Sequence, residues 1–215
     1  MKASAASRNA LRAGLILLVF AFVGTAILAF TYQATEPTIT RGQQAAKLAL
    51  LGQVLPASLH DNDLLNSRRS LPPDELLGTR IDSSMWLAQR NGQFSGVVLE
   101  AIAPDGYSGN IALLIGIDAQ GRVTGVRVTA HRETPGLGDY IEHAKSAWID
   151  QFAGKSLGNP VAKHWKVVKD GGAFDARAGA TITPRAVVRA VKGALDYFAK
   201  HRAEFSTPRA KEPQA

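Results

Sequence analysis

The chain has 215 residues, 46% hydrophobic and 20% charged, and its 25 basic against 18 acidic side chains give a formal net charge of +7. That length buries one sizeable core and predicts a single domain with additions. Cysteine is absent, which excludes disulfide frameworks, thiolate catalysis and iron–sulfur ligation by this chain alone.

The excess of cations does not point to nucleic acid. Lys2, Arg8 and Arg12 precede an apolar stretch with no acid among them, and the other cations mingle with Asp and Glu. There is no dense Lys/Arg run interleaved with aromatics and no helix-turn-helix or RNA-binding signature, so no nucleic-acid partner is expected.

From Ala13 to Thr35 no residue is charged, and "GLILLVFAFVGTAILAF" approaches the ~20 residues that a helix needs to cross a bilayer. The stretch predicts a membrane span over 13–35. Cations stand before it and the first charge after it is Glu36, so residues 1–12 are expected in the cytoplasm and the rest outside. A cleaved signal peptide has a similar charge pattern, but its apolar core is usually ~7–15 residues with a small-x-small site behind it. "FTYQATEP" offers no such site, and Tyr32 suits an interface, so a retained anchor is the reading adopted.

Residues 36–92 read as a membrane-proximal helix and a connector. Ala45, Leu48, Leu51 and Leu55 form a helical stripe that ends at Pro56. His60 to Arg90 is polar, carries Pro72-Pro73, and is expected to be loop-rich, either a connector or an embellishment of the domain.

Three β-branched runs follow, "FSGVVLEAIAP", "GNIALLIGID" and "RVTGVRVTAH", separated by the turn chemistry of "DGYSG" and "AQG". The second and third predict a hairpin turning at Asp118–Gly121. "ETPGLG" breaks the strand pattern, and Ile141, Ala144, Trp148 and Phe152 predict a helix opening at Asp139. "KHWKVVKD" predicts one more strand. The layout implies an α+β domain over 93–200, with a small antiparallel sheet and packed helices, and a C-terminal tail over 201–215.

The final helix is the best marked. Thr183 suits the N-cap and Pro184 the first helical position, while Val187, Val188, Val191, Leu195 and Phe198 make an apolar face. Thr181 then lies two residues before the cap, where unpaired N–H groups and the helix dipole favour an anion and Gly179 allows close approach. A Gly-Ala-Thr at this place is also an ordinary turn. Glu133 could equally be an exposed loop carboxylate, and Lys169 a solvated cation.

The five histidines, His60, His131, His143, His164 and His201, never fall at i, i+4 ligand spacing, and no "HExxH" or "GxSxG" occurs. No metal site and no catalytic residue is assigned.

"DGYSGNIALLIGID", "AHRETPGLGDYI" and "DARAGATITPRAVVRAVKGAL", in that order, resemble the G-subunit family of the bacterial Rnf (Rsx) ion-translocating electron-transport complex. The C subunit of the sodium-pumping NADH:quinone reductase is a more distant relative with the same kind of site. The resemblance covers most of the chain, anchor included. It implies a single-pass inner-membrane protein with a periplasmic FMN-binding domain that relays electrons among the other subunits and is not self-sufficient as an enzyme. It also implies covalent FMN, joined through its phosphate to a threonine by a separate Mg-dependent flavin transferase that uses FAD. The motif Asp-x-x-Ser/Thr-Gly-Ala-Thr falls on Asp175 to Thr181, which makes Thr181 the implied attachment residue and Asp175 an element of transferase recognition. Gly179, Ala180 and Thr183 are then neighbours of the phosphate, and Glu133, Thr134, Gly136, Leu137 and Gly138 lie beside the flavin. Ala178 departs from the motif, where Ser or Thr is usual. The competing readings are a quinone-reductase C-like component, a stand-alone flavin reductase, and an anchored non-redox binding or assembly protein.

Overall fold

The computed structural model describes residues 5–177 and 179–206, so Ala178 lies outside the described residues. One helix, α1 (Ala5–Val54), holds both the uncharged stretch and the amphipathic stripe expected to follow it. Pro37 lies inside it and removes one backbone donor without ending the helix. Two compact units divide within α1, between Lys47 and Leu48.

In the first unit the helix is apolar on all sides. Leu15, Phe20, Phe22, Ile27, Leu28 and Phe30 are all exposed, and none of its most apolar window is buried against protein. A helix with that surface and no protein cover is unstable in water. By length and composition it can cross a membrane.

The second unit is an α+β fold around a five-stranded antiparallel sheet in the order β1-β2-β3-β4-β5. The strands are β1 (Arg68–Leu71), β2 (Ser83–Arg90), β3 (Gln93–Gly106), β4 (Gly109–Asp118) and β5 (Val123–Ala130). The last three are the predicted runs. The β4–β5 hairpin turns where expected: the Asp118 carboxylate accepts from the N–H groups of Gln120 and Arg122, each at 2.9 Å, and Gly121 takes φ +80°. Strands β1 and β2 come from the stretch expected to be loop-rich. Strand β2 shows no alternation because both its faces are covered: Met85 and Leu87 enter one core cluster, Trp86 and Ala88 the other.

The larger cluster lies under the last helix, α2 (Ile182–Ser206), whose Val187, Val188, Val191, Leu195 and Phe198 are buried as its apolar spacing predicts. The smaller one lies on the opposite sheet face, where Leu51, Val54 and Leu55 pack on Trp86, Val98 and Leu114. Ala45 and Leu48, the first members of the predicted stripe, remain exposed. The end of α1 rests on bare backbone. A Cβ on Gly116 would lie 2.2 Å from the Val54 carbonyl oxygen, and one on Gly125 would lie 2.9 Å from Val54 Cα. That carbonyl, left over at the helix end, accepts from the Thr124 hydroxyl.

Two predicted elements are different in the structure. The helix expected from Asp139 to Phe152 is two 3-10 turns, Asp139–Ile141 and Ala147–Phe152. Between them Ser146 is extended and its hydroxyl accepts from Trp148 N–H, so the chain restarts there instead of continuing. Trp148 does join the core, meeting Tyr140 and Phe152 edge-on at 5.5 and 5.6 Å. The "KHWKVVKD" segment is also 3-10 turns, Ala162–His164 and Val168–Asp170, apart from one bridge between Val167 and Phe174. Its alternation reflects burial of Trp165 and Val167 rather than strand pairing.

Candidate functional site

The site assembles where α2 begins. Helix α2 starts at Ile182, and the Thr181 carbonyl accepts the Arg185 N–H at 3.3 Å, so Thr181 itself holds the N-cap place. This corrects the expectation that Thr183 caps the helix. Thr183 sits in the first turn, fully buried, and its hydroxyl donates to Glu133 Oε2 instead of accepting a helix N–H. Pro184 is tolerated two positions further in, as the third helical residue, because the first N–H groups of a helix have no internal acceptor.

Glu133 is not the exposed loop carboxylate that sequence left open. It is 4% exposed, and Oε1 accepts the Ser108 N–H at 3.0 Å while Oε2 takes the Thr183 hydroxyl. It therefore joins the β3–β4 turn, its own loop and the start of α2. Its neighbours must be glycine: a Cβ on Gly106 would lie 2.8 Å from Oε1, and one on Gly138 would lie 2.9 Å from Oε2. The backbone N–H of Glu133 donates to His131 Nδ1 at 3.0 Å, so the imidazole carries its proton on Nε2, which faces Glu142 Oε1 at 2.7 Å.

The loop that follows is closed by its own backbone. Leu137 and Gly138 N–H both donate to the Thr134 carbonyl, at 3.1 and 3.0 Å, and Gly136, at φ +79°, donates to Asp139 Oδ1 at 2.8 Å. Lys145 then bridges Asp139 at 3.0 Å and Glu142 at 2.6 Å. The ammonium hydrogen bond holds both carboxyls below their usual range, with Gly136 N–H adding to it at Asp139 and His131 at Glu142.

Thr181 is approached by a segment whose backbone is held at two points. The Trp148 indole N–H donates to the Asp175 carbonyl at 2.7 Å, and the Asp175 N–H donates to Gln151 Oε1 at 2.8 Å, leaving Asp175 exposed. The Tyr140 hydroxyl donates to the Ala180 carbonyl and accepts from Arg177 N–H, both at 3.3 Å. Burial pushes the Tyr140 phenol up, so it remains a donor at neutral pH. The Arg177 guanidinium lies 4.8 Å above its ring.

These walls enclose an open cavity of about 300 Å³. Of the predicted residues it brings together Glu133, Thr134, Leu137, Gly138, Gly179, Ala180, Thr181 and Thr183, and it leaves Gly136 and Asp175 off its surface. Sequence reading missed two lining residues, Tyr107 and Ile182. Tyr107 reads in the sequence only as part of a turn, and an aromatic side chain at a turn tip is the signal that could have marked it. Tyr107, Leu137 and Ile182 are 67%, 53% and 46% exposed and give the cavity an apolar rim. Among the described residues, the Thr181 hydroxyl makes no hydrogen bond. Gly179, at φ +85°, has nothing within 4 Å of where a Cβ would lie. A flat aromatic group with an anionic tail fits this arrangement: apolar rim outside, helix N-terminus and open hydroxyl within. Among the described residues no cluster of three or more acidic or histidine side chains is placed to hold a metal.

Comparison with known proteins agrees with that chemistry. The FMN-binding domain family matches residues 106–196, and the RnfG N-terminal region matches residues 1–54. The G subunit of the ion-translocating oxidoreductase complex of Pseudomonas aeruginosa is 50% identical, over 95% of this chain and 96% of its own length. Its counterpart of the same name from Shewanella oneidensis is 48% identical, over 91% and 92%. Among solved structures, Shewanella oneidensis NqrC is 26% identical with a TM-score of 0.48, covering 67% of this chain and 74% of that one.

Proposed function

Since the chain belongs to the family of G subunits of ion-translocating oxidoreductase complexes, we propose that it is an electron-carrying subunit of such a complex, with FMN joined through its phosphate to Thr181. The observation that carries this reading is the Thr181 hydroxyl, open at the N-terminus of α2 and lining a cavity with an apolar rim. FMN supplies the electron-accepting and electron-donating chemistry, for which this cysteine-free chain has no thiol.

The protein's own contribution is placement. Gly179 leaves room beside the attachment oxygen, and the unpaired N–H groups at the start of α2 favour a phosphate there. Tyr107, Leu137 and Ile182 offer apolar cover to a flat ring, and the backbone of the 134–138 loop supplies a close wall. Tyr140 and Trp148 hold the Ala180 and Asp175 carbonyls against the core. Maturation requires a flavin transferase: Thr181 Oγ1 bonds to the flavin-side phosphorus of FAD as the pyrophosphate bond breaks and AMP leaves, and the threonine proton goes to the transferase. The exposed Asp175 is accessible for that enzyme's recognition.

In this reading residues 13–35 span the inner membrane and the folded unit is periplasmic, among the other subunits of the complex. Lys2, Arg8 and Arg12 before the span support that orientation. A reporter active only outside the cytoplasm, fused after Ser206, is expected to be active, and an inactive fusion reverses the orientation. The reading as a whole is tested by co-expression with a flavin transferase. The expected product is yellow and heavier by one FMN residue in intact mass. A colourless, unmodified chain beside an active transferase overturns it in favour of a non-redox binding or assembly role.

A further inference from the structure

The buried Glu133 carboxylate is the most unusual group near the cavity. Among the described residues it forms no ion pair, and its charge is met only by the Ser108 N–H and the Thr183 hydroxyl. A carboxylate is held in such a place only when its few donors are well aligned. Gly106 and Gly138 lie so close to its oxygens that any side chain there would collide with them.

Its three tethers are the three walls of the cavity. The Ser108 N–H fixes the β3–β4 turn that carries Tyr107, and the Thr183 hydroxyl fixes the start of α2. The backbone N–H, held by His131 Nδ1, fixes the 134–138 loop. Thr183 and Thr181 share one turn of chain. Holding the Thr183 hydroxyl on Glu133 therefore pins the first turn of α2, and with it the chain two residues back that carries Thr181 on the cavity wall.

We propose that Glu133 is a positioning residue for modification of Thr181: acting through Thr183 and Ser108, it presents the Thr181 hydroxyl to an incoming phosphoryl group. This inference rests on the proposed attachment of FMN. Glu133 needs no contact with the flavin for this role, and the role belongs to the hydrogen bonds rather than to the charge. A glutamine can keep both interactions, since its amide oxygen accepts as the carboxylate does and its amide group can donate to Thr183 Oγ1. Alanine keeps neither.

The test compares initial rates of flavin incorporation by intact mass, using the full-length protein in detergent with purified transferase, Mg²⁺ and FAD. The variants are Glu133→Gln, Glu133→Ala and Thr183→Val, with Thr181→Ala as the unmodifiable control. The expected result is at least tenfold slower incorporation in Glu133→Ala and Thr183→Val, near wild-type incorporation in Glu133→Gln, and no further loss in the Glu133→Ala/Thr183→Val double variant. Folding is followed in parallel by circular dichroism at a temperature where every variant is native. Wild-type rates in folded Glu133→Ala overturn the inference while leaving the FMN reading intact. Slow incorporation in Glu133→Gln as well overturns it in favour of a role for the charge. Failure of the wild type itself to be modified, with an active transferase, removes the reading on which the inference stands.

Discussion

Thr181→Ala is expected to abolish covalent flavin entirely while leaving the fold as it is. The two threonines at the start of α2 make the experiment decisive, because they differ in what their hydroxyls do. Among the described residues, the Thr181 hydroxyl has no hydrogen-bond partner, and only its carbonyl is used by the helix. Removing that hydroxyl costs no cap bond, so stability should change by less than about 1 kcal/mol, the typical cost of losing a working N-cap. Thr183 is the reverse case. Thr183→Val strips the Glu133 carboxylate of a donor in a buried place, a loss of about 1–3 kcal/mol. Intact mass, visible absorbance and thermal melting separate the two. The expected pattern is an unmodified, colourless and stable Thr181→Ala beside a less stable Thr183→Val. Full modification of Thr181→Ala would show that another residue carries the flavin.

The largest expected effect on stability is at Gly116, far from the cavity. Its missing side chain is the floor on which the end of α1 rests, and an added Cβ would meet the Val54 carbonyl oxygen at 2.2 Å and Thr124 Oγ1 at 2.5 Å. The obstacle is backbone on both sides, a strand in the middle of the sheet and a helix end, so a rotamer change cannot relieve it. Gly116→Ala must lift α1 from the sheet and open the cluster of Leu51, Val54, Leu55, Trp86, Val98 and Leu114. A loss of about 3 kcal/mol is expected, at the upper end for overpacking, which corresponds to roughly 6–12 °C in Tm for a unit of this size. Gly52→Ala is the control. It lies on the same helix, exposed, with nothing within 4 Å of where a Cβ would lie, and should stabilise by about 0.5–1 kcal/mol through helix propensity. Equal melting temperatures for the two variants would mean that α1 does not pack as described.

What could be read in the sequence divides along physical lines. Strands β3 to β5 and helix α2 were legible because each carries a periodic apolar pattern bounded by turn or cap chemistry. Strand β2 was not, because a strand buried on both faces loses its alternation, and Ser83, Ser84 and Ala88 dilute its apolar run. The stretch from Asp139 to Phe152 misled in the opposite direction. Its +3 and +4 spacing is helical, but Asp139 is committed to Gly136 and Lys145, and Ser146 restarts the chain.

Most of the cavity wall was legible as well, since "ETPGLG" and the stretch from Gly179 to Thr183 meet in space. Two local details were not. Whether Thr181 or Thr183 begins the helix depends on Glu133, 50 residues earlier in the chain, and local pattern carries no information about that partner. The place of Tyr107 on the rim depends likewise on the Ser108 N–H reaching Glu133.

The seating of α1 bears on how the folded unit can be cut free for study. The boundary suggested by hydropathy alone falls soon after Thr35, while the first strand does not begin until Arg68. A fragment beginning between Leu55 and Arg68 would lack Leu51 and Val54. It would bare Trp86, Val98 and Leu114 to water and leave the glycine floor at Gly116 and Gly125 without its lid. Such a fragment should be prone to aggregate. One beginning between Glu36 and Lys47 keeps the lid while discarding the lipid-like surface, and is the version to purify without detergent.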